Sequence, residues 1–289
     1  MAYPDYLNKG TASLDAANWE QSLGFADNAK LVIEDSFATL SALDRTADYT
    51  PTTGGIDYLW FLGGSPIVGA DNGVLKVGFE GVTTSGGYTA APNLIWATNG
   101  GVLHLEMLGA VANHDANLFN LIGKGDAYLH AGRVTDLFVG LAQFAKVLGS
   151  FDVASRLIVS GRGASVHLEY SADALPSLFV SQLGGSVLCE RNVSTEIVQA
   201  GGSVEFADES TVPLWSVYGG TAKPLQGTVT QMDWYGGELD FSSTRRPVTI
   251  TTLNNRSGKP IPSVPSNVTI TSVGDDFSAI LAGGGAVSL

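Results

Sequence analysis

Apolar runs that end at a glycine and then continue as alternating apolar and polar residues repeat along this chain. This plan is shared by the segments NLIWATNGGVLHLEM (from Asn93), RLIVSGRGASVHLEY (from Arg156), SLFVSQLGGSVLCER (from Ser177) and TEIVQAGGSVEFADE (from Thr195). Glycine pairs at 184–185, 201–202, 219–220 and 236–237 follow one another at 17, 18 and 17 residues. Such a period is typical of a solenoid, because one short unit cannot bury its apolar face alone.

The alternation after each glycine predicts which side chains face the core, because strand residues point to opposite faces in turn. The residues predicted to face the core are Leu103, Leu105, Val166, Leu168, Val187, Cys189, Val204, Phe206, Leu239 and Phe241. The residues predicted to form an outward, partner-facing column are Lys76, His104, His130, Lys146, His167, Glu205 and Asp240. In this alignment His130 lies one residue out of register, and Lys146 lies between His130 and His167.

The repeat predicts an all-β fold, a right-handed parallel β-helix of roughly ten coils with irregular caps at both ends. The predicted boundaries are an N-terminal arm or cap at 1–28, the β-helix at 29–257, and a terminal segment at 258–289. That last segment holds the proline-rich stretch GKPIPSVPS, one further strand and a glycine-rich tail. A two-sheet sandwich or jelly roll also has many short strands, but it gives no reason for the regular glycine spacing.

Composition and charge narrow the classes of partner. The chain has 289 residues, a formal net charge of −13 and a sequence pI near 4.5. Acidic chains are repelled by phosphate backbones and by anionic lipid, so neither nucleic acid nor a membrane is an expected partner. Its single cysteine, Cys189, allows no intrachain disulfide. The N-terminus shows no export signal, so we expect synthesis in a host cytoplasm.

Catalytic, metal and cofactor signatures are not recognised in the sequence. Each glycine pair is followed by a strand, whereas a nucleotide-binding loop opens a helix, so no cofactor is predicted. His104 and His167 would lie about three coils, roughly 14 Å, apart, which is too far to share one metal ion. The chain has no G-x-S-x-G motif. Cys189 aligns with the inward residues Leu168 and Phe206, which predicts a core residue rather than a reactive thiol.

The segment from Asn8 to Ser36 resembles the first segment of some β-helical surface and virion proteins. In those proteins a turn ending in Asn-Trp, here Asn18-Trp19, precedes a loop and a first apolar strand, here Leu31-Val32-Ile33. The whole chain is similar in type to structural proteins of tailed bacteriophages. The signatures of pectin-cleaving β-helix families, Asn-Thr-Asp, paired Asp and Arg-x-Lys along one groove, are not found.

The resemblance implies a non-enzymatic capsid decoration (cement) protein on the outer surface of a virion. Its implied partner is the major capsid protein, and its implied form is a homotrimer. Two alternatives stay open. One is a tailspike-type or secreted polysaccharide depolymerase, which would require carboxylates clustered in a cleft. The other is a β-helical adhesin or sugar-binding protein, for which stacked aromatic side chains would serve as the platform.

Overall fold

The computed structural model describes residues 5–6, 30–34, 58–63, 67–68, 75–77, 93–107, 116–207 and 209–277. Within these ranges the chain is all-β, and the strand pairings are parallel. The predicted parallel β-solenoid is confirmed, with about eight turns. Its right-handedness stays a prediction. Among the same residues no helix has the length and apolarity needed to cross a membrane.

Nineteen strands make up the described part of the solenoid. They are β1 (Asp5–Tyr6), β2 (Lys30–Glu34), β3 (Tyr58–Leu62), β4 (Ile67–Val68), β5 (Leu75–Val77), β6 (Asn93–Met107), β7 (Ala116–Gly140), β8 (Ala142–Ser160), β9 (Ser165–Leu168), β10 (Leu175–Val180), β11 (Ser186–Cys189), β12 (Val193–Gln199), β13 (Ser203–Phe206), β14 (Thr211–Val217), β15 (Thr221–Pro224), β16 (Gly227–Trp234), β17 (Glu238–Leu239), β18 (Val248–Asn255) and β19 (Val268–Asp276).

The chain divides into two compact units, Met1–Ser155 and Arg156–Leu289. In the first unit, β1 pairs with β2, β2 with β3, and β3 with β6. β6 then pairs with β7 along most of its length, with irregularities between Asn99 and Gly101 and between Leu105 and Glu106. The two irregularities described between β6 and β7 therefore lie within long strands.

In the second unit each coil from the end of β8 to β17 supplies one strand to each of two ladders, and the last coils supply a strand to the first ladder alone. The first ladder runs through the C-terminal part of β8 and through β10, β12, β14, β16, β18 and β19. The second ladder runs through β9, β11, β13, β15 and β17. Each glycine pair lies between a first-ladder strand and the following second-ladder strand. The regular spacing of the pairs therefore corresponds to one corner of the solenoid, repeated in successive coils.

The corner requires glycine because the backbones of successive coils approach closely there. Gly220 has a φ of 76°, in the left-handed region that side chains rarely adopt. A Cβ on Gly220 would overlap the carbonyl oxygen of Gly202 in the preceding coil. Both the backbone conformation and the space therefore exclude a side chain.

The core follows the alternation predicted from the sequence. All ten residues predicted to face inward are at most 3% exposed. In the first ladder the inward positions stack large side chains in register, and all of them are 0% exposed: Leu157, Leu178, Ile197, Trp215, Met232 and Leu253. Burial of this apolar surface is the main stabilising term for a chain without disulfides.

The strand ladder reaches into both segments that were predicted to lie outside the β-helix. β1 belongs to the predicted arm, and β19 belongs to the predicted terminal segment, where the sequence also indicated one further strand. Asn18-Trp19 and the glycine-rich tail lie outside the described residues. Leu31-Val32-Ile33, the other part of the quoted resemblance, lies in β2.

Candidate functional site

The outward face of the second ladder carries an in-register polar column, which we define as His167, Leu188, Glu205, Lys223 and Asp240. Strand register aligns His167 with Leu188, Leu188 with Glu205, and Glu205 with Lys223. Asp240 follows Leu239, which is aligned with Ala222. His167 lies four positions after Gly163, and each other member lies four positions after the first glycine of its pair. The sequence offset therefore correctly placed His167, Glu205 and Asp240 in one column.

Lys223 is the member of this polar column that the sequence analysis missed, although it follows Gly219 at the same offset of four. Its Nζ lies 2.9 Å from Glu205 Oε1. The hydrogen bond that Lys223 donates to Glu205 raises the pKa of Lys223 above its ordinary value of 10.5. The pair therefore stabilises the fold at neutral pH, and on the alkaline side this contribution is lost as the pH rises through that raised pKa.

His167 and Asp240, two further polar members of the column, are also held by neighbours in the same unit. His167 Nε2 lies 2.9 Å from Glu190 Oε2. The hydroxyl and backbone N–H of Ser242 lower the pKa of Asp240, and that N–H lies 2.8 Å from Asp240 Oδ1. These groups pair along the ladder instead of converging on one point in front of it.

We expect Glu205→Gln to lower the free energy of unfolding by less than about 1 kcal/mol, because both partners are partly exposed to solvent. Urea denaturation at pH 7 measures this difference. A loss of several kcal/mol would show that the column contributes to stability far more than solvent-exposed ion pairs do.

In the first unit the strand register differs from the predicted column, so the N-terminal end of that prediction is wrong. Register aligns Lys76 with Glu106, not with His104, and it aligns His104 with Tyr128. His130 lies at the irregularity that follows Leu105, where β7 has one extra residue. Alternation alone cannot reveal such a bulge, because the sequence on either side of it keeps its pattern.

His104 is also not displayed to a partner, because it is only 7% exposed. Its ring stacks on Tyr128 at 4.5 Å between centroids, and its Nδ1 lies 3.0 Å from His130 Nε2. One imidazole donates and the other accepts in this contact. Lys146, on β8, is partly exposed. The step from Lys146 to His167 joins the two units and stays a prediction.

The two histidines do not belong to a larger ligand cluster in the described ranges. Within those ranges no group of three or more His, Cys, Asp and Glu side chains could hold a metal ion. A structural or catalytic zinc site needs at least three protein ligands. The His104–His130 contact is a part-buried hydrogen bond between β6 and β7.

A second outward cluster, absent from the sequence predictions, lies on the first ladder where it meets the glycine corner. We define the tyrosine–arginine stack as Tyr218, Tyr235 and Arg256. The two tyrosine rings are parallel to within 3° at 4.7 Å, and the guanidinium carbon lies 5.4 Å from the Tyr235 centroid. Arg256 Nη1 donates to the Tyr235 hydroxyl at 2.7 Å.

Two carboxylates flank the guanidinium of this stack. Arg256 Nη2 donates to Asp275 Oδ2 at 2.9 Å, and Arg256 Nη1 lies 3.8 Å from Asp233 Oδ2. Asp233, 7% exposed, also accepts hydrogen bonds from Gln231 and Asn254. A sequence signal existed for the tyrosines, since each directly precedes a glycine pair. Arg256 follows a longer connection without such a pair and gave no signal.

Cys189 is a core residue, as its alignment predicted. It is 0% exposed, and its thiol donates to the carbonyl oxygen of Arg191 at 3.4 Å. Burial raises the pKa of Cys189 to about 11.

We expect Cys189 to resist thiol-specific reagents in the folded protein. At pH 8 a pKa near 11 leaves about one thiolate in a thousand, and the thiolate is the reactive form. Labelling with a chromogenic disulfide should proceed in denaturant and not in its absence. Full labelling of the native protein would contradict the inward assignment.

An open cleft of 410 Å³ lies beside the last strand of the second ladder. Apolar side chains of Trp234, Leu239, Pro260 and Pro262 line it together with Glu238 and Lys259. Lys259 Nζ donates to the Gly237 carbonyl oxygen at 2.7 Å. The proline-rich segment therefore lies against the end of this ladder instead of extending it.

Comparison with known proteins adds no family to this geometry: no protein-family model, no curated protein and no solved structure matches the chain.

Proposed function

We propose that this chain is a non-enzymatic structural protein whose rigid solenoid lies on the surface of a larger protein assembly and stabilises it. The observation that carries the proposal is the pairing of outward polar side chains within the ladders. His167 contacts Glu190, and two ion pairs join Glu205 with Lys223 and Arg256 with Asp275. Such a surface is preorganised for broad contacts, whereas a catalytic centre needs groups directed at one substrate.

Rigidity supports the same role. Backbone ladders join successive coils on two faces, and at Gly202, Gly220 and Gly237 the stacked corner leaves no space for a side chain between coils. A body of this kind transmits load between the subunits that it contacts without large internal motion. Its outer contacts add buried area across joints where the subunits of a shell could separate.

The assembly that we propose is a bacteriophage capsid, with the chain bound to the major capsid protein as a homotrimeric decoration protein. The support for this step is the resemblance of the coil repeat and of the N-terminal segment to phage structural proteins. The net charge of −13 also favours a protein surface over nucleic acid as the partner.

The enzymatic alternative has one specific observation in its favour, the two carboxylates beside Arg256. Glycoside hydrolysis uses such a carboxylate pair, one member of which must hold a proton as the general acid. Asp233 and Asp275 already accept hydrogen bonds from Gln231, Asn254 and Arg256. Because these bonds hold the two carboxyl groups within the ladder, the cluster suits binding better than acid catalysis.

Quantitative mass spectrometry of purified virus particles tests the structural role. The chain should be present in a fixed ratio to the major capsid protein, and native mass spectrometry of the purified chain should show a trimer. Absence of the chain from washed particles would contradict the proposal.

Assay of the purified chain on a panel of polysaccharides tests the enzymatic alternative. We expect no turnover. Cleavage that is lost in Asp233→Asn and kept in the control Asp173→Asn, an exposed aspartate elsewhere in the same unit, would establish the enzyme instead.

A further inference from the structure

The tyrosine–arginine stack follows the rungs of the first ladder. Val217, Trp234 and Asn255 are aligned across β14, β16 and β18, and the residue after each of them belongs to the stack. The separation of 4.7 Å between the tyrosine rings equals one rung of a parallel sheet. Tyr235 is thus covered on both faces, by Tyr218 and by the guanidinium of Arg256.

The stack ends at Tyr218 because the preceding rung supplies only a methyl group. Gln199 is aligned with Val217, so Ala200 occupies the position equivalent to Tyr218 one rung earlier. The backbone N–H groups of Ala200 and Tyr218 both continue the ladder, to Val180 and Gln199 respectively. The face of Tyr218 turned away from Tyr235 therefore lies over a small side chain, and Tyr218 is 53% exposed, against 37% for Tyr235.

A longer turn forms a second wall one rung further back. Five residues, Ser181 to Gly185, connect β10 to β11, whereas three residues, Ala200 to Gly202, connect β12 to β13. This longer turn lies directly against the floor of the gap, since a Cβ on Gly201 would lie 2.8 Å from the Ser181 carbonyl oxygen. It contains Leu183, which is 69% exposed.

From the strand register we infer an open gap at this end of the stack, which we call the slot and define by the Tyr218 ring, the floor Ala200–Gly201 and the turn Ser181–Leu183. The rungs of Ser181 and Tyr218 are two apart, about 9.6 Å at the usual spacing of parallel strands. A flat six-membered ring midway between them would lie about 4.8 Å from each wall. It would continue the stack at the separation that the two tyrosines already show.

The walls of the slot combine apolar and hydrogen-bonding groups. The Tyr218 face and Leu183 are apolar, while Ser181 and Gln182 supply polar groups at the rim. Ser181 Oγ donates to Ser160 Oγ and accepts from the Leu183 N–H, so one acceptor position of the hydroxyl remains. Apolar ring faces bordered by polar groups match a pyranose, whose C–H face stacks on aromatic rings while its hydroxyls bind at the edge.

Charge narrows the class of sugar. The net charge of −13 disfavours uronic acids and sulfated sugars, and the nearby cation of the stack, Arg256, is already paired with Asp275. We propose that the slot binds one pyranose residue of a neutral glycan against Tyr218. This binding function goes beyond the structural role and does not depend on it.

Titration of the full chain with neutral tetrasaccharides, followed by NMR, tests the proposal. The probes are tetrasaccharides of glucose, galactose, mannose and N-acetylglucosamine, together with a tetrasaccharide of galacturonic acid. We expect a millimolar or tighter dissociation constant for at least one neutral probe, and weaker binding of the acidic one. Failure of all neutral probes to bind at about 10 mM, a tighter binding of the acidic probe, or equal affinities for the two would overturn it.

Three variants locate the binding. Tyr218→Ala removes the stacking wall, and Ala200→Tyr fills the slot with a third tyrosine ring, so each should weaken binding at least about tenfold. Tyr170→Ala removes another exposed tyrosine, 62% exposed, and should leave the affinity unchanged. Thermal unfolding shows whether each variant is folded.

Unchanged affinity in both Tyr218→Ala and Ala200→Tyr, with both folded, would overturn the proposal. Mass spectrometry of purified virus particles tests the structural role independently of this glycan titration.

Discussion

Phe206→Asp should lower the free energy of unfolding by at least about 4 kcal/mol, which is enough to leave much of the chain unfolded at 37 °C. Phe206 is 0% exposed and packs edge-on against Trp215, with ring centroids 6.1 Å apart. The substitution removes a large apolar side chain from the stacked core and places a carboxylate there. Circular dichroism during urea denaturation measures the loss.

Glu205→Gln is the matched control for Phe206→Asp, because Glu205 is the adjacent residue on the same strand and points outward. Its expected cost is under about 1 kcal/mol. The difference between the two variants tests the alternation itself. Equal stability of Phe206→Asp and Glu205→Gln would refute the assignment of faces on β13.

Gly220→Ala should lower the free energy of unfolding by about 3 kcal/mol or more. The alanine Cβ would overlap the Gly202 carbonyl oxygen and the Gly201 backbone of the preceding coil, and backbone atoms in a ladder cannot move aside cheaply. The positive φ of 76° adds conformational strain. Differential scanning calorimetry of the variant should show a large fall in the unfolding temperature.

Gly184→Ala separates strain from steric overlap at the same corner. Gly184 also has a positive φ, 92°, but a Cβ there would meet its nearest atom, Arg162 Cα, at 3.7 Å. The expected cost is therefore the conformational term alone, about 1–2 kcal/mol. If Gly184→Ala proved as costly as Gly220→Ala, close stacking of coils would not be the reason for glycine at Gly220.

The faces of the second-ladder strands in the second unit were predictable from the sequence. The glycine pairs recur at 17, 18 and 17 residues and so fix the register, and the alternation after them fixes the faces. That is why Val204, Phe206 and Leu239 were correctly placed inward and Glu205 outward. Lys223 was equally accessible to this reasoning, since it has the same offset from its glycine pair.

The first unit was less predictable because the irregularities between β6 and β7 lie inside long strands. The bulge opposite His130 shifts β7 by one residue against β6, and β5 aligns Lys76 with Glu106. Neither shift changes the local pattern of apolar and polar residues. Periodicity therefore predicted the architecture of this unit but misplaced the histidines within it.

The tyrosine–arginine stack was missed for a different physical reason. Its members lie on three successive coils, and the step from Tyr235 to Arg256 is 21 residues, while the step between the tyrosines is 17. A fixed period cannot connect them. The slot beside Tyr218 likewise depends on the turn 181–185, which has two residues more than the turn 200–202. The position of this longer turn relative to Tyr218 can be inferred only when the register of the neighbouring coils is known.

The central claim is that successive coils stack in parallel register and thereby build the outward faces proposed for binding. A thiol cross-linker that spans about 5 Å tests it directly, because adjacent rungs are about 4.8 Å apart. We expect it to join the cysteines of Glu205→Cys with Lys223→Cys, whose positions are aligned on β13 and β15. It should not join those of Glu205→Cys with Asp240→Cys, which lie about two rungs, or 9.6 Å, apart. Failure to join the first pair, or equally efficient joining of the second, would contradict the stacked solenoid.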